Sequence, residues 1–224
     1  MSLFSTLREK PWEPQPALAG HPTPADPLAT PRTALRFIMA IVGVLFFLFI
    51  ITFLSRSQYP DFQALAGQPW QPFSDTSRLW FNTALLAASS LAMHIAVLVA
   101  QREHLNRAVL GISLAVFFAI GFLLAQLDLW QRLMAAGYYI NSNPANSYFY
   151  LLTAVHGLHL LGGMVVLANL LFRVWYDDSL ATLSGPLSLC AQYWHFLLAV
   201  WLLLFALLAS SPDTINTLAA LCGF

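Results

Sequence analysis

Five uninterrupted apolar runs constrain this chain more than any other feature of its sequence. They extend over residues 37–54, 79–100, 108–127, 148–172 and 186–209, and no Asp, Glu, Lys or Arg falls inside any of them. Each provides roughly the 20 helical residues needed to cross a hydrocarbon layer of about 30 Å. The runs are continuously apolar rather than alternating, which separates them from the strands of an outer-membrane barrel. A segment in lipid must satisfy its own backbone polar groups, so each run is read as a helix. Composition points the same way. Hydrophobic residues make up 58% of the chain and charged residues 9%, whereas a soluble domain carries roughly 25% charged residues. Mean hydropathy is +0.67. These values argue against a water-soluble enzyme, and the net charge of zero leaves no basic face for nucleic acid. The expected fold class is all-α, an integral membrane bundle of five transmembrane helices.

The charges outside the runs predict an orientation. Arg8, Lys10, Arg32, Arg36, Arg102, Arg107 and Arg173 fall on one side, and Arg56, Arg78 and Arg132 on the other. The positive-inside rule then places the N-terminus in the cytoplasm and the C-terminus outside. Trp80, Trp130 and Trp175 stand at span ends, where interfacial aromatics collect. Residues 1–35 are rich in proline and are expected to form a disordered cytoplasmic arm. Residues 36–210 hold the five-helix domain, and 211–224 a short C-terminal tail. Cys190 and Cys222 fall near opposite membrane faces in this arrangement, too far apart to form a disulfide. Arg36, Arg102 and Arg107, near the cytoplasmic face, are placed to meet anionic lipid headgroups.

Four histidines lie within the runs: His94, His156, His159 and His195. An ionisable residue inside a membrane is a functional-site candidate. At about 1.5 Å per residue, His159 falls near mid-membrane, with His94 and His195 roughly 5 Å towards the cytoplasm and His156 a similar distance the other way. Two sharp readings follow: His94 and His195 as axial ligands of a b-type haem, or some of the four as ligands of copper or zinc. No Cys or carboxylate stands by to complete a metal shell. The residues therefore favour histidines that hydrogen-bond a neighbouring helix or their own backbone, with no metal or cofactor bound by this chain. Asn82, Gln126 and Trp194 join them as intramembrane polar groups. Pumps and carriers route charge through intramembrane Asp, Glu or Lys, and the spans have none, which argues against a stand-alone transporter.

Small residues mark the packing faces. Ala84, Ala88, Ala92, Ala96 and Ala100 recur every four positions along the second run, and Gly157, Gly162 and Gly163 cluster in the fourth. Such stripes admit close helix–helix approach.

Several motifs resemble one family. Tyr148–Gly163, YFYLLTAVHGLHLLGG, carries a His-Gly-x-His at His156-Gly157-Leu158-His159. Tyr193-Trp194-His195-Phe196 is followed by Trp201, and Phe81-Asn82-Thr83 by Ser89-Ser90 and Met93-His94. Gln126 precedes Trp130. In this order the motifs resemble those of the haem-copper oxidase subunit III family, in a short five-span form. The resemblance covers about residues 36–208.

It implies an accessory subunit that is itself non-catalytic and binds no haem or copper. Such a subunit packs on the catalytic subunit I, holds phospholipid and sustains turnover, while haem and copper reside on partner chains. Its setting would be a bacterial inner membrane and its complex a cytochrome c oxidase. The equivalent subunit of a quinol oxidase and the accessory protein of nitric oxide reductase are the alternatives within the family. From a different class, a small haem- or metal-binding membrane protein is the alternative. Two departures stand out. The family's buried Glu in the first span is replaced by Val42-Gly43-Val44, and the acid that follows Trp-His-Phe-x in the last span by Leu198. Both leave the structural role intact and remove carboxylates from any proton path.

Overall fold

A computed structural model describes residues 28–59, 62, 76–102, 104–177 and 184–224. Among these residues six helices account for the regular structure: α1 (Ala29–Ser57), α2 (Ser77–Ala100), α3 (Leu105–Ala135), α4 (Pro144–Asp177), α5 (Ser184–Leu208) and α6 (Pro212–Leu221). The first five are each long and apolar enough to cross a membrane. The described residues are thus all-helical in their regular structure, with the five long apolar helices of a multi-pass membrane protein.

The helices overrun the apolar runs. α3 continues past residue 127 to Ala135, so Asp128 and Arg132 are helical. These two pair at 2.7 Å, and Asp128 also meets Arg78 on α2 at 3.3 Å. Paired charges at i and i+4 let a helix continue into the aqueous interface after its apolar stretch has ended. Gly137, with φ +92°, then stops it. Tyr138 N–H bonds the Leu133 carbonyl at 2.9 Å, the closure that a left-handed residue after a helix permits. Asn143 caps the next helix by accepting from the Ala145 N–H at 2.8 Å, with Pro144 in the first turn.

One expected boundary shifts, and the C-terminal tail proves to be helical. α1 begins at Ala29, so 29–35 are helix and not part of the N-terminal arm. The remainder of that arm, through residue 27, lies outside the described residues. The segment assigned to a short tail holds α6. Ser211 caps it by accepting from the Thr214 N–H, and Pro212 and Asp213 occupy its first turn. Ala219 of α6 is buried with Phe53, Leu54 and Leu207, and Gln58 donates to Asn216 at 3.3 Å.

Sequential spans run antiparallel, and α2 packs between α3 and α5. Its most extensive neighbour is α3, followed by α5. Ala92, Ala96 and Ala100 of α2 are buried together with Ala108, Ala115 and Ala119 of α3. Gly111 lies so close to Ala96 that a Cβ built on it would stand 2.9 Å from the Ala96 Cβ and 3.1 Å from its Cα. α5 packs antiparallel to both α2 and α4, and Gly163 of α4 admits the rings of Tyr193 and Trp194. α1 lies along α4, α5 and α6, with Leu28 at its start against Gly185 at the start of α5. The starts of α1, α3 and α5 and the ends of α2 and α4 thus share one end of the bundle.

Gly111→Ala forces the added methyl against the Cβ and backbone of Ala96 and is expected to cost about 1–3 kcal/mol, read as a lowered unfolding midpoint in detergent. Gly43→Ala, with nothing within 4 Å of the added carbon, is expected to leave that midpoint unchanged.

Candidate functional site

The polar groups of the spans form a seam of hydrogen bonds between helices. Ser89 is its central node. Its hydroxyl donates to the Ala115 carbonyl of α3 at 2.7 Å and accepts from the Trp194 indole N–H of α5 at 2.8 Å. Nearer the Ser77 end of α2, the Thr83 hydroxyl donates to the Leu79 carbonyl at 2.8 Å and accepts the Trp201 indole at 3.0 Å. Trp194 and Trp201 are two turns apart on α5, and Ser89 and Thr83 are matched to them in reverse order on α2. Antiparallel helices place such pairs at equal depths. Both indoles and both hydroxyls are buried, so each bond satisfies groups that have no access to water.

Asn82 and Gln126 add a third tie between α2 and α3. The Asn82 amide donates to Gln126 Oε1 at 2.8 Å, and Gln126 Nε2 is buried with no hydrogen-bond partner among the described residues. Trp130 of α3 donates to Thr153 of α4 at 3.2 Å.

The four histidines separate into two environments. His156 is fully buried and enclosed by the rings of Phe46, Phe122 and Trp201, with centroids at 6.3, 5.8 and 5.3 Å. Neither ring nitrogen has a hydrogen-bond partner among the described residues. His159, one turn on and half-buried, pairs its Nδ1 with the Val155 carbonyl at 2.7 Å and also meets Phe46. Its own carbonyl accepts from the Tyr193 hydroxyl at 3.3 Å.

His94 and His195 lie on the outside of the bundle. Their rings stand 5.5 Å apart, and His195 Nδ1 lies 2.6 Å from the Ser90 hydroxyl. The two rings are in contact with each other, which leaves no space between them for the macrocycle that a shared axial haem site requires. Among the described residues no group of three or more His, Cys, Asp or Glu side chains is placed to hold a metal ion.

The small-residue stripes divide in the same manner. Ala92, Ala96 and Ala100 are buried, Ala88 is half-buried and Ala84 is exposed. Gly163 is buried, Gly157 meets Leu123 at 3.5 Å, and Gly162 opens outward with nothing within 4 Å. Arg36, Arg102 and Arg107 are exposed at the end of the bundle that holds the starts of α1 and α3.

Thr83, Ser89, Ser90, Thr153 and Trp201 lie within the quoted motifs without a role assigned from sequence, and Gly111 lies outside them. Gly111, Ala115 and Ala119 of α3 repeat the four-residue spacing of the α2 stripe, and that match is the available signal. Ser89→Ala is expected to lower stability by about 1 kcal/mol, within the range measured for interhelical bonds in membranes. Combined with Trp194→Phe it should cost less than the sum of the two, as read by unfolding in detergent.

The chain is similar to known proteins. The family model for cytochrome c oxidase subunit III matches residues 28–210, which takes in all five spans and every residue of the seam. A “Probable cytochrome c oxidase subunit 3” of Mycobacterium bovis is 29% identical over 153 residues, covering 67% of this chain and 75% of the relative. One of Nocardia farcinica is 28% identical over 162 residues, covering 71% and 76%. A “Cytochrome bo(3) ubiquinol oxidase subunit 3” of Pseudomonas aeruginosa is 25% identical over 124 residues, covering 55% and 59%. The chain belongs to the subunit III family of the haem-copper oxidases.

Proposed function

We propose that this chain is the non-catalytic subunit III of a bacterial cytochrome c oxidase, packed on the catalytic subunit I in the inner membrane. In this reading the N-terminus is cytoplasmic and the C-terminus outside. The observation that carries it is the character of the seam. Among the described residues the polar side chains of the seam that link α2, α3 and α5 are neutral and hydrogen-bonded, and no carboxylate lies in any apolar run. Such a seam fixes helix positions and carries no proton relay of its own.

The chain supports chemistry that takes place on haem and copper held by its partners. His94, His156, His159 and His195, with Asn82, Gln126 and Trp194, act as structural polar groups. Ala92, Ala96 and Gly163 act as packing positions. Arg36, Arg102 and Arg107 are placed for phospholipid headgroups. The cytochrome c type is favoured over the quinol type because the cytochrome c oxidase relatives match at higher identity over more of both chains.

Affinity purification of the tagged chain from its native membrane in mild detergent is expected to bring down a haem-copper catalytic subunit, and the complex to oxidise reduced cytochrome c. Recovery without such a subunit would overturn the reading. Oxidation of quinol in place of cytochrome c would transfer the chain to the quinol branch. The chain isolated from its partners is expected to show no Soret band.

A further inference from the structure

The outward faces of the five spans are not alike. α3 presents large apolar side chains along its length, including Leu110, Leu114, Phe117 and Leu124, and α1 does so with Phe37, Ile41, Val44 and Phe47. These are faces suited to lipid. The outer face shared by α2 and α5 differs. Trp80 against Phe205, at 4.8 Å, marks one end of this face, and His94 against His195 lies further along it. Between and beside these contacts the exposed positions include Ala84 and Ala87 on α2 and Gln192, His195 and Ala199 on α5, set among the exposed apolar side chains of Leu91, Ile95, Leu98 and Leu202. Small residues let a neighbouring backbone approach, and polar ones supply hydrogen bonds once it has done so.

His94 makes the face unsuitable for lipid. It lies about 9 Å inside the Ala100 end of α2, well within the hydrocarbon layer, and its ring has no hydrogen-bond partner among the described residues. A polar group left unpaired in lipid is costly. His195 sharpens the requirement. The Ser90 hydroxyl has no other acceptor among the described residues, so its proton is directed at His195 Nδ1. That tautomer leaves the Nε2 proton facing outward as a donor. A ring in this state is not a metal ligand through Nε2; it calls for an acceptor.

We infer that the α2–α5 face is a docking surface for a membrane-spanning helix of a partner oxidase subunit, one that places a hydrogen-bond acceptor side chain, a carboxyl or an amide, against His94 and His195. The small residues at 84, 87 and 199 receive its backbone, and Gln192 extends the polar contact one turn along α5. The inference deepens the accessory-subunit reading by assigning the face, and it rests on the chain being part of an oxidase assembly.

The test uses the assembled complex in its native membrane. A photo-crosslinking residue is placed at Leu91 or Leu98, both exposed on α2 beside His94, and in parallel at Leu114 or Phe117 on α3. A partner subunit is expected to be captured several-fold more from the α2 positions than from α3. His94→Leu is expected to reduce the partner retained through detergent washing several-fold, with His94→Gln retaining more of it, while the chain itself stays in the membrane. Capture of lipid alone from the α2 positions, capture of a second copy of this chain, or unchanged retention in His94→Leu would overturn the inference. So would uptake of zinc by the wild-type complex that His94→Leu abolishes. Capture of a partner subunit other than the catalytic one would uphold this face as a docking surface and place subunit I on another face of the bundle.

Discussion

Ser89 is a single hydroxyl on which three helices converge, and much of the bundle depends on the condition it meets. In lipid there is no hydrophobic gain from bringing one apolar helix against another, because the tails are as apolar as the side chains. Position must come from close packing and from hydrogen bonds that have no competing water. α2 meets both requirements on different faces. Towards α3 it offers alanines, which let the two backbones come within the contact seen at Ala96 and Gly111. Towards α5 it offers hydroxyls to two tryptophans. Ser89 belongs to both faces, donating to a carbonyl of one neighbour and accepting from an indole of the other.

This division explains why the polar content of the spans is neutral. A hydroxyl or an amide can be satisfied by one or two partners, whereas a carboxylate or ammonium would need a paired charge as well. The paired charges that the described residues do show, Arg78, Asp128 and Arg132, stand beyond the apolar run of α3. They are exposed, and they mark where the helix leaves the hydrocarbon rather than hold the bundle together.

The number, position and helical nature of the spans were legible because the requirement to cross about 30 Å of hydrocarbon imprints directly on run length. The ends were not, since a helix continues for as long as its backbone bonds and capping allow, whatever the hydropathy. α3 passes Asp128 and stops only at Gly137. α6 was missed because it is short and partly polar, although Ser211, Pro212 and Asp213 spelled its start. The similar depths of His94 and His195 could be read from numbering alone. Which way they point could not, because runs apolar on every side carry no signal for inside and outside. Hydropathy likewise could not tell that the Ala stripe of α2 divides, its buried members packing with α3 and Ala84 facing outward.

The placement of α1 has a bearing on the order in which the chain is built. Of the five spans described α1 is the earliest in the chain, yet its neighbours are α4, α5 and α6, all made later. The α2–α3 hairpin can close as soon as it is synthesised, since its contacts are internal. α1 must wait in the bilayer until α6 is made, when Ala219 and Asn216 arrive beside Leu54 and Gln58. The earliest of the five spans is thus the last to be locked, and α6 acts as its latch.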